Sequence, residues 1–429
     1  MLSLIKTIYR MASREERKTV LSNAFSLSTL QGINYILPII ILPYLVRVIG
    51  PAKFGLIAFA QAFTQYFLIL VDYGFSVSAT REISLYRKEK NRVSAVFSSV
   101  MTVKITLAII SFFILFLILN FIPKFKEDWM VYLLSFGAII GNVLFPAWFF
   151  MGIEKMKYIA VLNIIAGTIY ASGIFIFVKG PADYLYIPFI NSLAFLVSGA
   201  LGLYIVFTEF KVALVFQGWG KIRQEVKKGW HVFSSIIAIN AYTVTRVFAV
   251  GLLTNNTLTG YYSIAERIAN VIQTFPMDSF SQAIYPRLNK IFQKNKKKAA
   301  DFMYKIQGVA ARGFIISLPI IFLLAPWLIK AVCGIEYKEA VLALRLLLVS
   351  VFFVGANAFK VQFLLVCGRQ DIYSKLHVIA ALAGVPMIFA LIYFFSYLGA
   401  AWATVILEAG IFIATVKILK NYCLPEHSL

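Results

Sequence analysis

Four cations stand inside long apolar stretches of this 429-residue chain: Lys104, Arg246, Arg267 and Arg312. Arg246 is the only charge in "INAYTVTRVFAVGLL", Ile239 to Leu253. A guanidinium in such a place bends its stem toward a headgroup, pairs with an acid, or takes an anionic ligand. It stays charged and can give two parallel hydrogen bonds to one phosphate. Arg246 lies about eight residues, or about 12 Å, from one end of its stretch, and Arg267 a similar distance into the next, running the other way. Two like charges at one depth repel unless something anionic separates them. The pair therefore points to an anion, phosphate first, with Glu266 able to neutralise one arginine and merely pin two helices.

Lys104 and Arg312 form a second level, several residues inside the ends of their stretches, where snorkelling to headgroups explains them as well as a ligand does. Arg345 and Lys360 are expected to snorkel. The titratable candidates for coupling or gating are Asp72, Glu266, Asp278 and Glu408. Glu408, near the middle of the last stretch, must be paired, protonated or part of a coupling-ion site. Gln61, Gln65 and Asp72 share one helical face, as do Arg267, Thr274 and Asp278. The three cysteines (333, 367, 423) and three histidines (231, 377, 427) are scattered. With no metal-ligand spacing, nucleotide motif or nucleophile–base arrangement, no cofactor and no enzymatic activity are expected.

The elements that must position these residues follow from composition. The chain is 60% hydrophobic and 14% charged, with mean hydropathy +0.82. Soluble domains carry about a quarter charged residues. Twelve apolar spans are predicted: 24–48, 54–74, 96–122, 130–150, 158–178, 184–208, 231–254, 258–283, 304–333, 338–366, 372–395 and 399–420. They lack two-residue alternation, which argues against a β-barrel. Pro38, Pro43, Pro276, Pro319 and Pro326 fall inside them and permit kinks. The expected fold is an all-α polytopic membrane protein.

The net charge of +22 suggests nucleic acid until the cations are placed. They cluster in the N-terminal tail (Lys6, Arg10, Arg14, Arg17, Lys18) and after spans two (Arg87 to Arg92), six (Lys221 to Lys228) and eight (Lys290 to Lys298). These loops share one side, so the positive-inside rule puts them and both termini in the cytoplasm. Topology and lipid headgroups account for the basicity, and no nucleic-acid partner is expected. The first 23 residues lack the apolar core of a cleavable signal peptide.

The chain also repeats. "GLIAFAQAF" from Gly55 leads to Asp72 and Arg81; "GYYSIAERI" from Gly260 leads to Asp278 and Arg287. Glycine and acid are 17 residues apart in the first copy and 18 in the second, and acid and arginine nine apart in both. "WFFMGIEKMKY" and "FLLVCGRQDIY" form a second matched pair. Six spans separate the copies, which predicts two six-helix lobes of like orientation, related by a pseudo-twofold axis along the membrane normal. The expected organisation is a basic segment 1–23, a lobe 24–208, a linker 209–230, a lobe 231–420 and a tail 421–429.

"LPYLVRVIGPAKFGLIAFAQAF" (Leu42 to Phe63), "DYGFSVSATREIS" (Asp72 to Ser84) and "PAWFFMGIEKMKYIA" (Pro146 to Ala160) resemble the Wzx-type polysaccharide flippases of the multidrug/oligosaccharidyl-lipid/polysaccharide exporter superfamily. Met151 departs from the polar residue, often glutamine, expected there. The resemblance implies two lobes around a cationic central cavity. It also implies flipping of undecaprenyl-diphosphate-linked oligosaccharide to the periplasmic leaflet of the bacterial inner membrane, for O-antigen or capsule assembly. Arg246, Arg267, Arg312 and Lys104 would hold the headgroup. H+ or Na+ would be the coupling ion, and the polysaccharide polymerase and chain-length machinery the partners. An ion-coupled exporter of another amphipathic or drug-like substrate would want an acidic cavity. A polymerase or ligase would carry a large periplasmic loop, and a peptidoglycan-precursor flippase two more spans.

Overall fold

The computed structural model describes residues 14–422, with side chains from Leu37 onward except at 231, 235, 239, 275, 276, 278–283, 286 and 422. The elements are α1 (Arg14–Asp72), α2 (Phe75–Tyr86), α3 (Lys90–Phe121), the short α4 (Pro123–Lys126), α5 (Trp129–Leu144), α6 (Ala147–Gly152), α7 (Met156–Phe177), a 3-10 turn (Pro181–Leu185), α8 (Tyr186–Thr208), α9 (Trp219–Leu253), α10 (Asn256–Lys294), α11 (Lys296–Cys333), α12 (Lys338–Val366), α13 (Gln370–Phe395) and α14 (Tyr397–Tyr422). No strand occurs among the described residues. Helices satisfy every backbone donor and acceptor within one segment, as hydrocarbon requires.

Nine helical stretches among the described residues are long and apolar enough to cross a membrane, and ten if the bent pair Val232–Ala238 and Asn240–Leu253 counts as one span. The chain is thus a multi-pass membrane protein. The difference from twelve has local causes. Leu37–Tyr86 counts once, yet it holds two arms that meet at Gly50, whose φ of 74° and ψ of 167° break the helix before Pro51. Only glycine adopts that backbone region cheaply. α10, expected as the eighth span, carries Glu266, Arg267, Asn270, Gln273 and Thr274 in its first half, which lowers its hydropathy. Ile109, Phe113, Phe116 and Phe121 of α3 are exposed, as lipid-facing side chains are.

Contacts divide the chain into two compact units that meet in sequence at Ile237 and Ala238, inside α9. In the first unit Phe59, Phe63, Phe125 and Tyr132 form an aromatic cluster with ring centroids 4.9–6.1 Å apart. α5 and α8 approach closely because Gly137, Gly141 and Gly199 have no side chains: a Cβ on Gly141 would lie 2.5 Å from the Phe195 carbonyl carbon, and one on Gly199 2.6 Å from the Gly141 oxygen. Small residues at such spacing let membrane helices gain dispersion contacts where no hydrophobic effect drives them together.

The second unit has a core of Leu288, Met303, Phe359, Phe363 and Leu419. Buried Gln307 ties α11 to α12, giving a hydrogen bond to the Gly355 oxygen (2.9 Å) and receiving one from the Phe359 N–H (3.1 Å). The second repeat anchor has the same local form in both units. Glu154 (φ 60°) and Gly368 (φ 75°) are left-handed, and a new helix starts two residues later at Met156 and Gln370. The first anchor differs: α1 ends at Asp72, before left-handed Tyr73 and Gly74, whereas α10 runs on without a break.

Candidate functional site

The second unit contains a cavity of about 320 Å³ walled by α9, α10, α12, α13 and α14. Its polar lining includes Arg246, Glu266, Asn357, His377, Thr404 and Glu408. Arg246 projects from α9 and is 14% exposed at its side chain. Its Nε lies 3.5 Å from Glu266 Oε1 and donates to the Thr243 oxygen at 3.3 Å. Its Nη1 donates to Thr404 Oγ1 at 3.2 Å, and that hydroxyl donates in turn to the Ala400 oxygen at 2.8 Å. A guanidinium has five N–H groups. The hydrogen bonds to Thr243 and Thr404 engage two of them, and the residue lines the cavity.

Glu408 lines the same cavity. Asn357 gives its amide to Thr415 Oγ1 (3.3 Å), while its Oδ1, buried at the cavity wall, has no partner among the described residues. His377 is buried, with Nδ1 2.9 Å from the Tyr373 oxygen. Fully ionised, the lining holds one guanidinium against two carboxylates. The face of α10 that lines it runs Glu266, Asn270, Gln273, one residue and about 100° around from the expected Arg267, Thr274, Asp278. Arg267, next to Glu266 in sequence, is half-buried and is not part of the lining. The side chain of Asp278 lies outside the described residues.

The other expected headgroup cations lie outside this lining. Lys104 is 1% exposed, and its Nζ lies 3.7 Å from Asp72 Oδ1, so it neither snorkels nor faces an open ligand site. Burial without a counter-ion would cost far more than the pair does. Arg312 is exposed on α11 and donates to the Gly308 oxygen of its own helix at 3.1 Å. Lys360 donates to the Ala356 oxygen (2.8 Å) and sits 4.2 Å from the Phe412 ring centroid.

Tyr242, Asn357, His377 and Thr404 were not singled out by sequence. Tyr242 with Arg246 and Thr404 with Glu408 are i, i+4 pairs that put a polar group on the charged face, which was the available signal. In the first unit, outside the spans, Lys228 donates to both Glu82 carboxylate oxygens (2.8 and 2.9 Å) and to Glu225 (2.8 Å), clamping the start of α9 to α2. Burial pushes the Glu225 carboxyl above its usual range, against the pull of Lys228.

Comparison with known proteins gives the context. The family described as polysaccharide biosynthesis protein matches residues 20–292. The chain is 31% identical over 401 residues to the "Putative O-antigen transporter" of Escherichia coli (strain K12), across 93% of this chain and 96% of that one. Two solved structures superpose at a TM-score of 0.71 and 14% identity. One is an inward-facing multidrug resistance MATE family transporter of the MOP superfamily, with 93% of this chain and 98% of that chain covered. The other is the lipid II flippase MurJ in an inward closed conformation, with 93% and 87% covered. At that identity they establish the fold. A family match over more than half the chain and a relative aligned nearly end to end agree: this chain belongs to the polysaccharide biosynthesis protein family.

Proposed function

We propose that this protein flips undecaprenyl-diphosphate-linked oligosaccharide units from the cytoplasmic to the periplasmic leaflet of a bacterial inner membrane, for O-antigen or other surface polysaccharide assembly. The observation that carries the reading is the near end-to-end kinship with a protein named as an O-antigen transporter. A glycan and a diphosphate cannot cross about 30 Å of hydrocarbon unaided, while the prenyl chain can stay in lipid. Twelve spans in two six-helix lobes with cytoplasmic termini would allow alternating access.

In this reading Arg246 recognises the diphosphate, with Arg267 as the nearby second cation. Glu266 and Glu408 compete with the substrate for the guanidinium. Proton uptake by either carboxylate loosens its hold on Arg246 and favours the anion; proton loss returns Arg246 to the protein. H+ is then the coupling ion, with Na+ binding to the same carboxylates as the variant of that scheme. Lys104 and Asp72 form a gating or structural pair in the other lobe. Membrane lipids surround the protein, and the polymerase and chain-length machinery would consume its product.

The test is complementation of a flippase-deleted strain. Arg246→Ala should sharply reduce surface polysaccharide and accumulate lipid-linked repeat units in the cytoplasmic leaflet, at normal protein abundance. One observation favours a second reading: two carboxylates against one guanidinium suit an ion-coupled exporter of an amphipathic cation. Export of a cationic dye by strains that regain no surface polysaccharide would select it.

A further inference from the structure

A second cavity, about 550 Å³, opens between α11 and α12 and is lined wholly by apolar side chains. The turn Gly334–Tyr337 is short, so the two helices run antiparallel. Ile315, Pro319 and Leu323 form one rim; Val349, Phe352 and Phe353 form the other. Its floor is deep because Phe314 sinks against Gly355, where an added Cβ would meet Phe314 Cε2 at 2.3 Å. From Phe314 to Leu323 the groove runs about 13 Å at 1.5 Å per residue.

A cation stands at each end. Arg312 is one turn before Ile315 and continues the same stripe of α11. Arg345 is one turn before Val349 on α12; its guanidinium lies 5.0 Å from the Phe322 ring centroid, and its Nε donates to the Phe322 oxygen at 3.3 Å. Because the helices are antiparallel, the two arginines mark opposite ends. Neither has an ion pair with a carboxylate among the described residues. Each is held by a backbone oxygen, and Arg345 by a ring as well.

We propose that this groove seats the polyprenyl chain of the lipid-linked diphosphate, with its anionic head in reach of Arg312 at one end or Arg345 at the other. The inference rests on the flippase reading and adds a tail site to it. One groove between two helices holds one chain, whereas a phospholipid brings two. A diphosphate offers paired oxygens that match a guanidinium. Arginines at both ends would meet the head in either leaflet, before and after Arg246 holds it, while the tail stays seated in the groove.

The experiment uses the full chain in nanodiscs and a polyprenyl diphosphate bearing a benzophenone along its chain. Photolabel on the wild-type protein should map to 314–323 and 348–353, and excess phosphatidylglycerol should not displace it. Ile315→Trp and Val349→Trp, at rim positions 56% and 41% exposed, should cut labelling at least tenfold. Arg312→Gln with Arg345→Gln should weaken binding about tenfold or more. Label mapping elsewhere overturns the groove and leaves the flippase reading standing. Equal displacement by phosphatidylglycerol also overturns it, since the groove then holds bulk lipid only. No saturable binding of the probe anywhere overturns both.

Discussion

Arg246 has two claims on its charge, Glu266 at 3.5 Å and whatever enters the cavity. The claims separate by mutation. If the guanidinium serves an anion, Arg246→Ala should weaken substrate binding roughly tenfold to a hundredfold, the loss of one charge-assisted contact of about 1.5–3 kcal/mol. Arg246→Lys should restore part of it, because charge survives and the two-pronged geometry does not. If the pair only pins α9 to α10, Glu266→Gln should be as damaging as Arg246→Ala, chiefly through lower protein abundance on an immunoblot. Lys104 and Asp72 should behave as a pinning pair does. Asp72→Asn alone strands a buried ammonium and should lower abundance, and the Lys104→Met, Asp72→Asn double variant should recover much of it. At this scale the sequence pointed to residues that share a cavity and was poor about what the others face. Arg246, Glu266 and Glu408 do converge on one cavity. Arg267 does not, because one residue is about 100° of helix and hydropathy alone cannot set the rotation of a helix that is polar over two adjoining faces.

At the scale of elements, breaks decide the architecture. The 50-residue apolar run from Leu37 becomes two arms only because Gly50 tolerates a left-handed backbone. Nothing lies within 4 Å of a Cβ placed there, so Gly50→Ala tests conformation without a clash. It should cost about 1–3 kcal/mol, seen as a lower midpoint of thermal unfolding in detergent. Gly141→Leu should be worse, because the side chain must displace the Phe195 backbone at the α5–α8 crossing. Helix positions were legible because apolar runs bounded by charge and glycine are strong signals. The expected span 338–366 coincides with α12, and 96–122 and 158–178 overrun the ends of α3 and α7 by a single residue. What was not legible was continuity: Asp72 precedes a break and Asp278 does not, although the flanking residues match in spacing. Helix ends here depend on tertiary neighbours, such as Val232 packed against Gly74, that no local pattern reports.

For the whole molecule, cation asymmetry makes a prediction independent of substrate. Reporter fusions after Arg92, Lys228 and Lys298 should read cytoplasmic, and fusions near Lys126 and Asn256 periplasmic. A periplasmic reading at Lys298 would invert the second half and remove the basis for parallel lobes. Transport itself is tested most directly by reconstitution. Purified protein in vesicles is given undecaprenyl-diphosphate oligosaccharide in the inner leaflet, and a fluorescent lectin outside reports each sugar that arrives. The flippase account predicts lectin binding that rises with wild-type protein, and rises at least tenfold more slowly with Arg246→Ala. Lectin binding no faster than in protein-free vesicles, while the same vesicles move a cationic dye, would contradict it.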